Sequence, residues 1–369
     1  MKRILPLLLV ALPLPLGIYA CSSGDASGSK NPNVTGTETP GTETPGAPGT
    51  PGTPGTPGTP PTGEEKNINP TAGIAAATAV GSPDTWSDGP VWSSALNALF
   101  FSTPLSQFGV YKMDPAGGIQ PIRNSAADTA PNGNTLTAAG DLVTVDSQRI
   151  VRMPASNTDV NIVPTFVAST YTPADAGAGP MGFDQLNDVV ARKDGTLYVT
   201  DPGYGVPTAA VNRIFRVDTT GAVTVVEAFQ DVPRPNGIAL SPDETSLYVG
   251  FSKPIEGTLP FVRKYAVNAD GTLGTFTKFS DVGPADSEPD GMTVDKAGNV
   301  YIATKAGIEV HKPTGELWGK IMMPVDGAAP AIATGLTFGG ADLKTLYITS
   351  QGMKIYQIKA MPLAGVAAQ

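Results

Sequence analysis

A short apolar run, which in most cases follows a turn rich in Gly, Asp or Asn, recurs six times in the chain. The six runs are Leu99-Phe100-Phe101, Leu142-Val143-Thr144, Leu197-Tyr198-Val199, Leu247-Tyr248-Val249, Val300-Tyr301-Ile302 and Leu346-Tyr347-Ile348. Successive runs begin 43, 55, 50, 53 and 46 residues apart. Short runs of aromatic and branched residues between turn residues are typical of buried β-strands. The pattern therefore predicts one buried strand in each of six similar units.

Each run is flanked by two further strand patterns. Upstream, a strand opens at Asp88-Gly89, Asn132-Gly133, Asn187-Asp188, Asn236-Gly237, Asp290-Gly291 and Thr334-Gly335. Downstream, a strand alternates apolar and polar residues, as at 213–217 and 354–358. Three strands and a weaker fourth in each unit predict small sheets that bury their faces only against one another. We therefore predict an all-β, six-bladed β-propeller over residues 70–369, with residues 71–80 supplying the outer strand of the last blade.

The first 20 residues predict a signal peptide, because a basic start precedes an apolar run that three prolines interrupt. Ala20 and Cys21 end this run and resemble the lipobox of bacterial lipoproteins, which implies cleavage before Cys21 and lipidation of its thiol. Ordinary secretion with an incidental Cys is the alternative. Ser22 favours the outer membrane over the inner one. We therefore expect a protein of the bacterial cell envelope that contacts the membrane only through an N-terminal lipid.

Residues 21–69 cannot build a hydrophobic core. Residues 37–63 consist largely of repeated Gly-Thr-Pro with no large apolar side chain. Proline at every third position favours extended polyproline II, while glycine adds flexible joints. The segment is therefore predicted to be a disordered tether between the lipid and the propeller.

Composition excludes several functional classes. The chain has 369 residues, one Cys, one His and a formal net charge of −9. One Cys excludes a disulfide scaffold and a Cys-rich zinc module, and one His excludes a catalytic His pair. The acidic balance argues against a nucleic-acid-binding protein, which needs basic residues for the phosphates. His311 belongs to the third strand of its unit, and we expect it at the surface.

The candidate chemistry lies where the first strand of each unit opens. In a propeller these strands line the central channel, so the opening residues meet at one mouth. The predicted ring is Asp88, Asn132, Asn187, Asn236, Asp290 and Thr334. Their oxygens suit one hard divalent cation, Ca²⁺ first, with Zn²⁺, Mg²⁺ or Mn²⁺ as alternatives. The other interpretation is that Asn-Gly and Asp-Gly are only turn dipeptides that lead into strands.

The stretches around this ring resemble the gluconolactonase / senescence-marker-protein (regucalcin) family of six-bladed propellers. The matching stretches are Asp88-Gly-Pro-Val-Trp92, Leu186-Asn187-Asp188-Val-Val190, Leu197-Tyr-Val-Thr-Asp-Pro-Gly-Tyr-Gly205, Pro235-Asn236-Gly-Ile-Ala-Leu-Ser-Pro-Asp243, Pro289-Asp290-Gly-Met-Thr-Val-Asp295 and Thr337-Phe-Gly-Gly340. The resemblance covers residues 86–358 and is specific to the family rather than to one substrate. It implies a divalent cation at the channel mouth and hydrolysis of lactones.

The resemblance also implies roles for single residues. By the family's motif, Asp88, Asn236, Asp290 and Asn187 would hold the cation, and Asp290 would act as the general base. We expect Asn187 and Asn132 to bind substrate.

Two positions depart from the family's pattern. Asp88 stands where the family usually has Glu, and the shorter side chain implies a shifted or weaker cation site or an added water ligand. Gln185 stands where some sugar lactonases have an Arg that contacts substrate, which argues against an aldonolactone.

We therefore expect a monomer that hydrolyses a lactone or similar ester with the help of a divalent cation. The alternative is a non-catalytic, envelope-anchored propeller that binds a partner or polymer, since propellers serve both roles. A carbon–carbon bond-forming enzyme resembling strictosidine synthase is a third possibility, for which no motif is present. Residues 169–185 are predicted to form either a lid over the channel mouth or a plain surface loop. Asp201 is expected to shape the turn after its strand, and the alternative is that it supports the ring residues from behind.

Overall fold

The computed structural model describes residues 65–104, 109–124, 130–173, 179–204, 211–230, 232–253 and 259–368. The predicted signal peptide, the lipidation site Cys21 and most of the predicted tether lie outside these ranges. The described residues include one 3₁₀ turn, Glu65–Asn67, and none of their helices has the length and hydropathy of a membrane span.

The first half of the described chain contributes strands to two complete blades and to a hairpin. Strand β1 is Thr78–Gly81. Blade 1 contains β2 (Asp88–Ser93), β3 (Ala98–Thr103), β4 (Gly109–Met113) and β5 (Ile119–Asn124). Blade 2 contains β6 (Pro131–Leu136), β7 (Asp141–Asp146), β8 (Arg149–Pro154) and β9 (Thr165–Ala168). A hairpin of β10 (Thr170–Tyr171) and β11 (Met181–Gly182) follows.

The second half contributes the remaining blades. Blade 3 contains β12 (Val189–Ala191), β13 (Leu197–Asp201), β14 (Val211–Val217) and β15 (Val223–Gln230). Blade 4 contains β16 (Arg234–Leu240), β17 (Ser246–Lys253), β18 (Phe261–Val267) and β19 (Leu273–Asp281). Blade 5 contains β20 (Met292–Val294), β21 (Val300–Thr304), β22 (Gly307–His311) and β23 (Leu317–Ile321). A hairpin of β24 (Val325–Asp326) and β25 (Ala329–Pro330) precedes blade 6, which contains β26 (Ala333–Gly339), β27 (Thr345–Ser350) and β28 (Ile355–Ile358).

Within the described ranges the strands form six antiparallel four-stranded sheets arranged as a ring, which confirms the predicted propeller. The six apolar runs are the second strands of their blades. The last sheet has the order β1-β28-β27-β26, with Thr78 opposite Gln357. The predicted closing strand is therefore confirmed: the chain's first strand completes its last blade.

Six clusters of buried apolar side chains hold the ring together, one at each junction between neighbouring blades. At the junction of blades 6 and 1, Trp92 stacks on Tyr347 with ring centroids 5.2 Å apart. Burying one such side chain contributes about 1.5–3 kcal/mol. Because each sheet shares its apolar residues with the next, a blade on its own would expose much of its core.

The inner strands approach one another closely at glycines that follow the ring residues. A Cβ on Gly237 would lie 2.0 Å from the carbonyl oxygen of Asp290, and one on Gly89 would lie 2.2 Å from that of Asn132. Gly237 does not have a positive φ, whereas Gly89 does. Close inter-blade packing, rather than a turn, therefore explains the glycine at Asn236-Gly237.

The expectation that His311 lies at the surface is wrong. His311 is 2% exposed, its Nε2 lies 3.1 Å from Glu309 Oε2, and its Nδ1 lies 3.1 Å from the carbonyl oxygen of Gly315. Every residue of β22 is buried. The alternating pattern of the third strand misled the prediction, because neighbouring blades cover both faces of this strand and a paired polar side chain replaces an exposed one.

Candidate active site at the channel mouth

Five of the six predicted ring residues line one cavity of 480 Å³: Asp88, Asn132, Asn187, Asn236 and Asp290. They come from five different blades, so only closure of the ring brings them together. The sixth, Thr334, is fully buried and does not line the cavity. Its hydroxyl donates to the carbonyl oxygen of Ser87 at 2.7 Å, a contact between blade 6 and the start of blade 1. Thr334 thus closes the ring rather than facing the cavity.

Irregularities in the strand pairing set the direction of several ring residues. The register between first and second strands shifts between Asp88 and Val91, between Pro131 and Asn134, and again between Pro235 and Ile238. A β-bulge of this kind bends the strand and re-aims a side chain. In these three blades the ring residue therefore leaves the regular alternation where the strand meets the channel mouth.

Backbone hydrogen bonds tie neighbouring ring positions to one another. Gly133 N donates to the carbonyl oxygen of Asn187 at 2.8 Å, and Asn187 N donates to that of Thr200 at 2.9 Å. The Thr200 hydroxyl then donates to the carbonyl oxygen of Asn236 at 2.7 Å. This chain of bonds crosses blades 2, 3 and 4 and fixes the spacing of the amide side chains.

Three carboxyl groups create a strained electrostatic environment at the mouth. Burial raises the pKa of Asp88 to about 7, and the nearby Asp188 adds to the shift. Burial also raises the pKa of Asp188 to about 6. The pKa of Asp290 lies well above its usual range because of burial and then of the charges on Asp88 and Asp188. A positive charge among these groups would oppose all three shifts.

Asp188 stabilises the backbone beneath the ring. Its carboxylate accepts hydrogen bonds from the backbone N of Val189 at 2.9 Å and of Ile238 at 3.1 Å. It therefore joins blades 3 and 4 immediately beneath the ring.

The donor set fits a hard divalent cation. Asn236 Oδ1 is buried and has no hydrogen-bond partner among the described residues, as expected for an oxygen that faces a cation. No group of three His, Cys, Asp or Glu side chains able to hold a metal occurs in the described ranges. A cation at the mouth would therefore rest on the two carboxylates, Asp88 and Asp290, together with amide oxygens, and oxygen ligands favour Ca²⁺ or Mg²⁺.

Comparison with known protein families shows which family the chain belongs to. The model of the SMP-30/gluconolactonase/LRE-like region matches residues 86–352. The chain belongs to this family. The match spans all five cavity-lining ring residues.

Relatives of known structure or activity agree with this assignment. The gluconolactonase of Zymomonas mobilis is 31% identical over 264 residues, which are 64% of this chain and 69% of that protein. The structure of a gluconolactonase from Xanthomonas campestris has a TM-score of 0.62 at 27% identity and covers 77% of this chain and 89% of its own. A calcium-binding regucalcin from Agrobacterium tumefaciens has a TM-score of 0.60 at 17% identity, covering 80% of this chain and 95% of its own, and shares the fold.

Asp201 supports the site from behind, which was the alternative to the expected role in the turn after its strand. It is fully buried and accepts hydrogen bonds from the backbone N of Asp184 at 2.9 Å and of Gln185 at 2.8 Å. Asp184 and Gln185 lie shortly before Asn187 in the chain, and Gln185 itself lines the cavity. Asp201 therefore fixes the segment that delivers Asn187. The predicted lid, residues 169–185, contains the β10–β11 hairpin, and its residues 174–178 lie outside the described part of the chain.

Other cavity-lining residues of this family member escaped the sequence analysis. They include Trp86, Tyr204, Ser252, Glu288 and Lys305. Tyr204 stands in the stretch 197–205 that carries the family resemblance, which was the available signal. Glu288 lies two residues before Asp290, as Trp86 lies two before Asp88, and Lys305 directly follows β21, as Gln351 follows β27. Both positions therefore recur in the repeat, and this register was the available signal for them.

Proposed function

We propose that this chain is a metal-dependent hydrolase of a lactone or similar ester, gluconolactonase-like, with its active site at the channel mouth. The observation that carries the proposal is the convergence of Asp88, Asn187, Asn236 and Asp290 on one cavity in a chain of this family. The Zymomonas relative is a gluconolactonase, which supports ester hydrolysis as the reaction class.

In this proposal Asp88, Asn187, Asn236 and Asp290 hold one divalent cation, with Ca²⁺ the first choice and Zn²⁺, Mg²⁺ or Mn²⁺ as alternatives. The unpaired Oδ1 of Asn236 supports this role. When bound, the cation would polarise the lactone carbonyl and stabilise the negative charge that develops on its oxygen.

The chain's own residues supply proton transfer and orientation. Asn132 and Asn187 bind the substrate through their amide groups. Asp290 takes a proton from a water whose oxygen adds to the carbonyl carbon. The ester C–O bond then breaks, and the proton passes to the departing ring oxygen, so that lactone and water yield one hydroxy acid.

Hydrolysis by the chelator-treated protein tests the proposal directly. We expect EDTA to abolish turnover of glucono-1,5-lactone or of a simple alkyl lactone, and one of Ca²⁺, Mg²⁺, Mn²⁺ and Zn²⁺ to restore it. Asp290→Asn and Asn236→Ala should each lower kcat at least 100-fold in a pH-stat assay. Asp286→Asn is the matched control, because Asp286 is exposed and lies four residues from Asp290 without lining the cavity.

Two outcomes would contradict the proposal. Full activity in EDTA, with no metal in the protein, would show that hydrolysis does not need a cation. Metal binding without turnover of any lactone or ester would instead favour a non-catalytic binding propeller.

We also propose that the propeller is a monomer held at the outer membrane of a bacterial envelope by a lipid on Cys21. The lipobox-like sequence before Cys21 and the Gly-Thr-Pro segment support this. Labelling with an alkyne fatty acid in a bacterial host should mark the wild-type chain and not Cys21→Ser. Equal labelling of both would contradict the anchor, and sedimentation tests the monomer.

A further inference from the structure

Lys305 is the single Lys or Arg among the described residues that line the cavity. Its ammonium group lies 2.7 Å from Glu288 Oε1, and both side chains are about half exposed. The other charged side chains on the described wall are the carboxylates Asp88 and Asp290. The cavity thus has a basic group whose charge an acidic neighbour already neutralises.

The backbone fixes this pairing. Lys305 N donates to the carbonyl oxygen of Ser287 at 2.9 Å, which joins the end of β21 to the segment before Asp290. Glu288 has a φ of 45°, in the left-handed region that residues other than glycine seldom adopt. A conformation of this kind persists where the surrounding structure determines it, and such positions cluster at functional sites. The backbones of Glu288 and Lys305 are therefore fixed next to each other, and their side chains meet at the cavity wall.

We propose that Glu288 sets the charge selectivity of the site: by pairing with Lys305, it leaves no unpaired Lys or Arg on the described cavity wall, so that the side chains there favour neutral over anionic lactones. A substrate that carries a phosphate, sulfonate or carboxylate would meet the Glu288 carboxylate and find no unpaired ammonium group. This inference rests on the proposed function, because it names the substrate class of the same site.

Substitution of Glu288 tests the proposal as a gain of function. Wild type should hydrolyse glucono-1,5-lactone in preference to its 6-phosphate. Glu288→Gln keeps the side-chain shape, removes one negative charge and releases Lys305. We expect this variant to reduce the neutral-to-anionic ratio of kcat/KM at least about fivefold at low salt, with the effect shrinking as ionic strength rises. Adding Lys305→Met to Glu288→Gln should cancel the gain.

Matched controls lie in the same blade. Glu316 is exposed and pairs with Lys312 at 2.8 Å, but neither residue lines the cavity. Glu316→Gln should therefore leave the ratio unchanged. Calorimetric binding of glucitol and glucitol 6-phosphate to wild type and Glu288→Gln gives a readout that does not depend on turnover.

The outcomes separate the two proposals. An unchanged neutral-to-anionic ratio in Glu288→Gln, in an active enzyme, overturns the selectivity proposal alone. Binding selectivity that responds to Glu288→Gln without any turnover supports the selectivity and overturns the hydrolase. If wild type prefers the anionic ligand, or neither hydrolyses nor binds any of the four compounds, the selectivity proposal is wrong.

Discussion

The hydroxyl of Tyr204 has an unusual set of partners at the cavity wall. It hydrogen-bonds to the Ser252 hydroxyl and to the Asn236 side chain, and the Arg234 guanidinium lies 5.5 Å from the centre of its ring. Burial raises the pKa of Tyr204 to about 12. The phenol therefore remains protonated at neutral pH, and in the proposed hydrolase its proton would be available to a bound ester.

Tyr204→Phe should lower kcat for lactone hydrolysis about 10-fold with little change in KM, because one hydrogen bond to the reacting oxygen would be lost while the ring remains. Steady-state kinetics of the metal-loaded enzyme checks this. Tyr111→Phe, in blade 1 and away from the cavity, should keep wild-type kinetics. An increase in KM alone in Tyr204→Phe would mean that the hydroxyl only helps to bind the ground state.

The sequence predicts the positions of some site residues well and those of others poorly. Asp88 and Asn236 were found because a repeated register places them at equivalent strand openings, and strand geometry then decides where they meet. Glu288 and Lys305 also occupy recurring positions, two residues before a ring residue and directly after a second strand, but no spacing indicates that these two side chains pair. Thr334 satisfies the repeat, yet its hydroxyl turns to Ser87, a choice of rotamer that no spacing encodes.

The inner strands show that glycine is needed where blades meet. A Cβ on Gly237 would lie 2.0 Å from the carbonyl oxygen of Asp290, and one on Gly291 would lie 2.8 Å from the Cα of Gly335. Backbone atoms on both sides leave no flexible side chain to yield. Blade spacing in this part of the ring is therefore set by backbone contact.

Gly237→Ala should destabilise the protein by at least about 2 kcal/mol, because the added methyl group forces blades 4 and 5 apart. Urea unfolding followed by tryptophan fluorescence measures the loss. Gly182→Ala is the matched control, since a Cβ there meets no atom within 4 Å and its φ is not positive. Equal stability of the two variants would show that the inner ring tolerates expansion.

At the scale of elements, the periodicity of the sequence predicted where the strands lie. It did not predict which of their faces neighbouring blades bury. The second strands were located because their apolar runs are short and bounded by turn residues. The glycine after Asn236 was open to a turn interpretation, because turn chemistry and close packing select the same residue. The position of His311 was predicted wrongly for a related reason. An alternating strand normally has one solvent-exposed face, but neighbouring blades bury both faces of this strand.

The whole propeller was predictable from repetition, since six similar units with exposed apolar faces have few stable arrangements other than a closed ring. The path of the C-terminal segment could not be predicted from repetition. Gly365 N donates to the carbonyl oxygen of Leu343 at 2.8 Å, and Val366, Ala367 and Ala368 line a second cavity of 130 Å³ that also contacts Asp88 and Asp290 from inside the ring. No repeat specifies this segment, because it occurs once.

Closure of the ring also buries carboxyl groups, and burial disfavours their ionised form in the folded state. Burial raises the pKa of Asp88 to about 7 and those of Asp188 and Asp201 to about 6. Each group holds its proton in the folded chain at a pH where the unfolded chain has released it. The folded state therefore binds more protons than the unfolded state between about pH 4 and pH 6, and Asp88 extends this range toward pH 7.

The sign of this difference predicts how stability depends on pH. With EDTA present, the free energy of unfolding should fall as pH rises from about 5 to 7, by about 1.4 kcal/mol per pH unit for each carboxyl that is protonated only in the folded state. Excess Ca²⁺ should restore stability more at pH 8 than at pH 5, because it binds the ionised carboxylates. Denaturant unfolding at each pH measures both effects. Asp88→Asn with Asp290→Asn should reduce the pH dependence to the part that Asp188 and Asp201 contribute, and it should remove the response to Ca²⁺. Stability that rises with pH in EDTA, or a Ca²⁺ response that survives both substitutions, would show that these carboxyls do not govern the ring.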